Sequence, residues 1–275
     1  MKKTILITGS SSGIGYYCAK QLVKEGYSVV ASCRQQADVT KLQNEGIHSV
    51  LLDLSDEQSI ESGFNQALAI LGHIDVLFNN GAYGQPGAVE DLPTESLRKQ
   101  FETNFFGWHH LTCLALKHMR ERESGRIIQN SSVLGLVTLP YRGAYNASKF
   151  ALEGLTDTLR QELSGTKIQV SLIEPGPIES KFRENALSAF FDAGIDVETS
   201  HHKENYLQQQ ARLETKGKAQ PFTLGPDAVY RSLKHAIEAK NAKPRYYVTF
   251  PTYLFGFLRR ILSTRMLDSI LTKSK

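Results

Sequence analysis

Tyr145 and Lys149 stand four positions apart in Tyr145-Asn146-Ala147-Ser148-Lys149, inside a stretch from about Ala144 to Leu163 whose pattern predicts a helix. That spacing puts a phenol and an ammonium on one helix face, where both can flank one ligand. A free phenol ionises near about 10, too high for easy proton exchange at neutral pH. A cation beside it favours the phenolate, and bringing it to about 7 takes roughly 4 kcal/mol. Such a pair can give a proton to a carbonyl oxygen or take one from an alcohol. Tyr-x-x-x-Lys is also a common surface pairing, so the neighbouring elements must decide.

A second constellation sits at the N-terminus. Thr8-Gly9-Ser10-Ser11-Ser12-Gly13-Ile14-Gly15 follows the apolar run Ile5-Leu6-Ile7 and precedes a helical pattern. Glycines there allow a sharp turn and let backbone N–H groups approach a pyrophosphate at the helix N-terminus. The next strand ends Val29-Val30-Ala31-Ser32-Cys33-Arg34. An acid near that end would accept the ribose 2′-OH of NAD, whereas a guanidinium suits a 2′-phosphate. Arg34, with no acid beside it, points to NADP(H).

The elements that must position these groups alternate in type. Strands are predicted at Ile5–Ile7, Ser28–Ser32, His48–Asp53, Ile74–Asn79, Arg126–Asn130 and Ile168–Ile173, with a last one at Tyr246–Val248. Between them helices are predicted at about Gly13–Glu25, Val39–Asn44, Asp56–Leu71, Thr94–Arg120 and Ala144–Leu163, and again from Asp227 to Lys240. Strands apolar on both faces in such a series predict an α/β fold, a doubly wound, Rossmann-type parallel sheet with ligands at its carboxyl ends. The pattern carries no domain boundary, so residues 1–275 read as one domain. Residues 180–222 are polar and lack a strong strand, yet carry Phe182, Leu187, Phe190 and Phe191; they read as a substrate lid or as a surface helix pair at the sheet edge. Residues 252–275 read as a basic amphipathic segment that lies on a membrane surface, packs on the cleft, or meets a partner subunit.

Composition narrows the classes. The 275 residues, 41% hydrophobic and 22% charged with a formal charge of +4, describe an ordinary globular chain. The basic residues are scattered apart from the C-terminus, which argues against nucleic acid as partner and leaves a small-molecule substrate. Cys18, Cys33 and Cys113 are odd in number and far apart, so neither a disulfide framework nor a metal site is expected, and a reducing, cytoplasmic location follows.

The chain resembles the short-chain dehydrogenase/reductase family, over Lys3 to about Ser180 and more weakly beyond. The motifs are Thr8-Gly9-(three residues)-Gly13-Ile14-Gly15, Asn79-Asn80-Gly81-Ala82, Asn104, Ser131-Ser132, Tyr145-(three residues)-Lys149 and Pro175-Gly176. The resemblance implies that Tyr145 exchanges the proton, Lys149 lowers its pKa and holds the nicotinamide ribose, Ser132 polarises the substrate oxygen, and Asn104 anchors a relay water. It implies cofactor contacts from Gly9, Ser11, Ser12, Gly13, Ile14, Gly15, Arg34, Asp53, Leu54, Asn80, Pro175, Gly176, Ile178 and Ser180, besides Tyr145 and Lys149. Asp53-Leu54 would meet the adenine, Asn80 the adenine-side ribose, and Pro175 to Ser180 the nicotinamide. It also implies a homodimer or homotetramer paired through the two long helices. The overall pattern is similar to the retinol, hydroxysteroid and aliphatic aldehyde branch, which implies a lipophilic aldehyde, ketone or secondary alcohol as substrate. The family usually reads Asn-Asn-Ala-Gly where this chain has Gly81-Ala82; were Ala82 at positive φ, the cost would be about 1–2 kcal/mol. The competing readings are a non-catalytic NADP(H)-binding regulatory or scaffold protein, and a sugar-nucleotide epimerase or dehydratase, for which the residues after Gly176 leave little room.

Overall fold

The computed structural model describes residues 2–214 and 221–273; the portions of the expected lid and C-terminal segment at 215–220 and 274–275 lie outside them. Seven strands, β1 (Thr4–Ile7), β2 (Ser28–Cys33), β3 (His48–Leu51), β4 (Val76–Asn79), β5 (Gly125–Asn130), β6 (Ile168–Glu174) and β7 (Arg245–Tyr247), form one sheet. Their order is β3-β2-β1-β4-β5-β6-β7, and every pairing is parallel. The chain winds from β1 outward to β3, then returns to β4 on the other side of β1. That reversal opens a crevice at the carboxyl ends of β1 and β4, where ligands bind in such sheets.

Strand alternation sends neighbours to opposite faces. Ile5, Ile7, Val29 and Val76 pack with Cys18 and Leu22 of helix α1 (Gly13–Lys24) and with Leu233 and Ile237 of α9 (Asp227–Glu238). Leu6, Val30 and Leu77 pack on the other face with Phe64 of α3 (Glu57–Leu71), Trp108 and Leu111 of α5 (Gly107–Glu121), and Leu152 of α6 (Gly143–Glu162). Each such aliphatic side chain, fully buried, contributes about 1.5–3 kcal/mol. Between β2 and β3 runs α2 (Gln36–Asn44). At the far edge Arg245 of β7 bonds Glu153 of α6 and Glu174 of β6, and reaches Asp157 at 2.6 Å, tying strand to helix.

Two expectations change, and residues 180–222 take the helix-pair form that was one of their two readings. The long helix is two, α4 (Thr94–Phe101) and α5, joined by a π turn at Glu102–Phe106 that faces buried Asn104 inward. Residues 180–222 contain α7 (Phe182–Asp192) and α8 (Lys203–Glu214), and bury Phe190 and Tyr206 against Ala88. The Tyr206 hydroxyl accepts from the Ala88 N–H at 2.9 Å and donates to Asp91 at 2.8 Å, so this pair is docked on the loop after β4. The C-terminal segment is α10 (Phe250–Ile261) and α11 (Thr264–Leu271), separated where Leu262 and Ser263 turn extended. Among the described residues no helix is long and apolar enough to cross a membrane.

Candidate active site

The turn after β1 is shaped by close backbone approach. Gly9 has φ +66°, and a Cβ there would stand 2.3 Å from the Gly81 Cα. A Cβ on Gly15 would stand 2.4 Å from the Gly9 oxygen, and one on Gly13, at φ +57°, 2.9 Å from the Ser180 Cβ. Thr8 locks the loop after β4 onto this turn: its Oγ1 accepts from the N–H groups of Asn80 (2.9 Å) and Gly81 (3.0 Å). Asn80 Nδ2 donates to the Thr8 and Gly9 oxygens, and Asn130 Nδ2 donates to Asn80 Oδ1 at 2.9 Å. The Asn80 side chain therefore knits three strand ends together. Ala82 is not among the residues with positive φ, so the exchanged Gly81-Ala82 order carries no backbone strain, and Gly81 is the position that must stay small.

The residues at this turn fit a phosphate. Ser12 precedes α1 with extended backbone and no side-chain cap, and the first turn of α1 holds no acid. By contrast Asp56 caps α3, its Oδ1 accepting from the Ser59 N–H at 3.0 Å. The N–H end of α1 is thus left for an anion, favoured further by the helix dipole. Ser11, Ser12 and Ile14 are half-buried around it. Arg34 is exposed beyond β2, close enough to Tyr83 for its charge to act on that phenol. Asp53 accepts from the Ser55 N–H and hydroxyl, while the Leu54 side chain is buried against Gly81.

Tyr145 and Lys149 share one face of α6. Lys149 is 1% exposed; its Nζ donates to the Asn130 oxygen at 2.8 Å and lies 4.3 Å from the Trp108 ring centre and 5.6 Å from that of Tyr145. Ser132 Oγ accepts from the Leu134 N–H at 3.1 Å and lies close enough to the Tyr145 hydroxyl to favour its ionised form. The Phe182 ring stands edge-on to Tyr145 at 5.3 Å. Burial pushes the Tyr145 phenol up to about 12, opposed by the Ser132 hydrogen bond and the Arg142 charge. Burial also brings Lys149 down to about 7, opposed by Glu153. Desolvation is the largest cause of the shift in both groups. Ser131 turns toward Glu153, away from Tyr145.

Asn104 Nδ2 donates to the Tyr83 oxygen at 2.8 Å, and its Oδ1 accepts from the Tyr83 N–H at 3.2 Å. Its amide pins the loop after β4 at one residue, holding both backbone groups of Tyr83. Beyond β6 the Gly176 N–H donates to Thr249 Oγ1 at 3.1 Å, and the Pro175 oxygen accepts from Val133. Ile178 bridges to Leu224, and Ser180 Oγ accepts from the Phe182 N–H at 3.3 Å while lying beside Gly13. The glycine turn, Asn80, Tyr145, Lys149, Ser132 and the Pro175–Ser180 loop thus converge at the strand ends. A separate cavity of about 460 Å³, lined by Val89, Leu139, Phe150 and Leu271, borders α6, and none of the expected catalytic side chains lines it.

Sequence reasoning missed Asn130 and Trp108, and read Thr8 only as part of the glycine motif. Thr8 and Asn130 join strand ends, and Trp108, the chain's one tryptophan, is fully buried beneath the lysine with its Nε1 donating to the Gly81 oxygen at 2.7 Å. Trp108 lies four residues after Asn104, a spacing that gives no hint of Lys149.

Comparison with known proteins follows the same outline. The profile of the family described as short chain dehydrogenase matches residues 3–189. The uncharacterised oxidoreductase YbbO of Escherichia coli (strain K12) is 39% identical over 98% of this chain and 94% of its own. Human retinol dehydrogenase 8 is 36% identical over 77% of this chain and 71% of its own. Among solved structures, a short chain dehydrogenase/reductase from Burkholderia phymatum in complex with NAD superposes with a TM-score of 0.79, at 25% identity, covering 98% of this chain and 95% of that one.

Proposed function

The chain belongs to the short-chain dehydrogenase family of oxidoreductases, and from that premise we propose that it is an NADPH-dependent carbonyl reductase acting on a lipophilic aldehyde or ketone, or in reverse on the alcohol, secondary in the case of a ketone. The observation that carries this reading is the cluster of half-buried Tyr145 with buried Ser132 and Lys149 beside the uncapped end of α1. The glycine turn and α1 would hold the pyrophosphate, and Lys149 with the Pro175–Ser180 loop the nicotinamide end. Bound there, the reduced cofactor supplies the hydride.

The chain's own groups handle the oxygen. Ser132 orients the carbonyl and Tyr145 donates the proton. A phenol near 12 keeps that proton at neutral pH, and an alkoxide is a far stronger base than a phenolate, so the transfer runs downhill. Lys149, fixed by the Asn130 oxygen, supplies charge within the same dry space while it is protonated, which burial allows up to about 7. Arg34 supports NADPH over NADH because a guanidinium there can bind a 2′-phosphate bidentately. The Burkholderia relative with NAD keeps NADH as the comparison to run. Similarity to retinol dehydrogenase 8 and the Phe182 ring against Tyr145 support an apolar substrate.

The test is loss of reduced-nicotinamide absorbance with a panel of aldehydes and ketones, using NADPH and NADH in parallel. NADPH is expected to be preferred, and Tyr145→Phe to lose turnover by about a thousandfold or more while still binding cofactor. Arg34→Ala is expected to lower that preference about tenfold or more. Cofactor binding with no turnover across the panel would turn the reading toward a regulatory or scaffold protein. An Arg34→Ala enzyme with full NADPH preference would defeat the cofactor assignment.

A further inference from the structure

One face of α10 is apolar and turned outward. Phe250, Tyr253, Leu254, Phe257 and Ile261 recur every three to four residues and are each between 38% and 60% exposed. The opposite face is locked in place. Thr252 and Gly256 are buried, a Cβ on Gly256 would stand 2.8 Å from the Tyr247 ring, and Arg259 lies over Phe150 at 5.0 Å. The helix cannot roll to hide its stripe. Met266 of α11 adds to the apolar surface, and Phe222, with its ring 5.0 Å from that of Phe250, extends it toward Leu224.

The charge around this stripe has one sign. From Tyr246 to Lys273 the chain carries Arg259, Arg260, Arg265 and Lys273 against the single acid Asp268. Arg260, Arg265 and Lys273 are exposed. Asp268 lies toward α6, lining the cavity with Leu271. An isologous contact with a second copy would bring these cations against themselves. An anionic interface satisfies both features, since exposed aromatic and aliphatic groups enter the headgroup boundary while the flanking cations meet lipid phosphates.

We propose that the α10–α11 face docks on an anionic lipid surface, with the apolar stripe inserted and the basic residues at headgroup level. Because Thr249, at the head of α10, accepts from the Gly176 N–H, docking sets the loop carrying Ile178 beside the bilayer. A lipophilic substrate then passes from the membrane to the cleft without crossing bulk water. This consequence rests on the carbonyl-reductase reading; the docking itself does not.

The experiment is sedimentation of the full-length protein with vesicles of phosphatidylcholine alone or mixed with phosphatidylglycerol. Strong binding is expected to the mixed vesicles, weakening with added salt. The double variant Phe257→Glu/Ile261→Glu is expected to lose that binding by about tenfold or more, with its melting temperature and turnover of a water-soluble aldehyde unchanged. Arg260→Glu/Arg265→Glu is expected to erase the preference for phosphatidylglycerol. The proposal is overturned if the wild type fails to sediment with mixed vesicles, or if Phe257→Glu/Ile261→Glu sediments equally. It is also overturned if the wild type is a dimer that Phe257→Glu converts to monomer without any vesicle binding. Vesicle binding by a protein with no turnover on any carbonyl would keep the docking surface and remove the functional reading instead.

Discussion

Around the glycine turn, backbone meets backbone: Gly9 against Gly81, Gly15 against the Gly9 oxygen, and Gly107 so near Leu54 that a Cβ would stand 1.9 Å from its oxygen. Along α10, by contrast, one face of the helix meets solvent, and its five large apolar side chains are 38% to 60% exposed. The first region is specified by sterics at tenths of an ångström, where almost no other residue fits. The second is specified only by the kind of surface it presents, and many sequences could supply it. A site that must grip a dinucleotide needs the first sort of construction. A face that meets a fluid surface needs only the second.

That contrast gives an ordered set of expected effects. Gly107→Ala should strike hardest: no flexible side chain can yield, because the obstacle is the Leu54 carbonyl, and soluble folded protein is expected to be lost. Normal expression and an unchanged melting temperature would break the comparison at its stronger end. Trp108→Ala should cost about 3–5 kcal/mol in denaturant unfolding, since it empties a buried indole and leaves the Gly81 oxygen without its donor.

Lys149→Met tests the electrostatics. An unfolded lysine stays charged up to about 10.5, while burial releases the proton of Lys149 above about 7. Between those values the unfolded chain binds more protons, so this residue makes wild-type stability rise with pH. Relative to Lys149→Met the rise should be on the order of 4 kcal/mol across that window, read from melts at stepped pH. A flat difference would mean that Lys149 keeps its charge in the fold. Phe257→Glu, at the permissive end, should change stability by no more than about 0.5 kcal/mol. A larger loss would show that the stripe is packed after all.

The same contrast explains what could be read beforehand. Strand-and-helix alternation was legible from Thr4 to Glu174 because each strand is short, apolar and bounded by turns. The glycine turn and the α6 pair were legible because their spacing is local. The π turn at Glu102–Phe106 was not: one wider turn barely disturbs a helical period, and the contact made from it, the amide of Asn104 gripping Tyr83, is tertiary. The split of the C-terminal segment at Leu262–Ser263 was hidden likewise, because amphipathic spacing continues on both sides of the break. The double commitment of the Asn80 amide needed three strand ends in register before it could exist. The phenol near 12 reflects burial, which no four-residue spacing reports.

The solitary indole under Lys149 also makes the protein its own optical probe. Every photon of tryptophan fluorescence comes from Trp108, within a few ångströms of the ammonium and inside the cleft wall. Reduced nicotinamide absorbs in the near ultraviolet where indole emits, so its arrival beside Lys149 would quench that emission by energy transfer. Titrating the unlabelled protein with NADPH or NADH would then report occupancy at the pocket floor directly, with no second indole to dilute the signal.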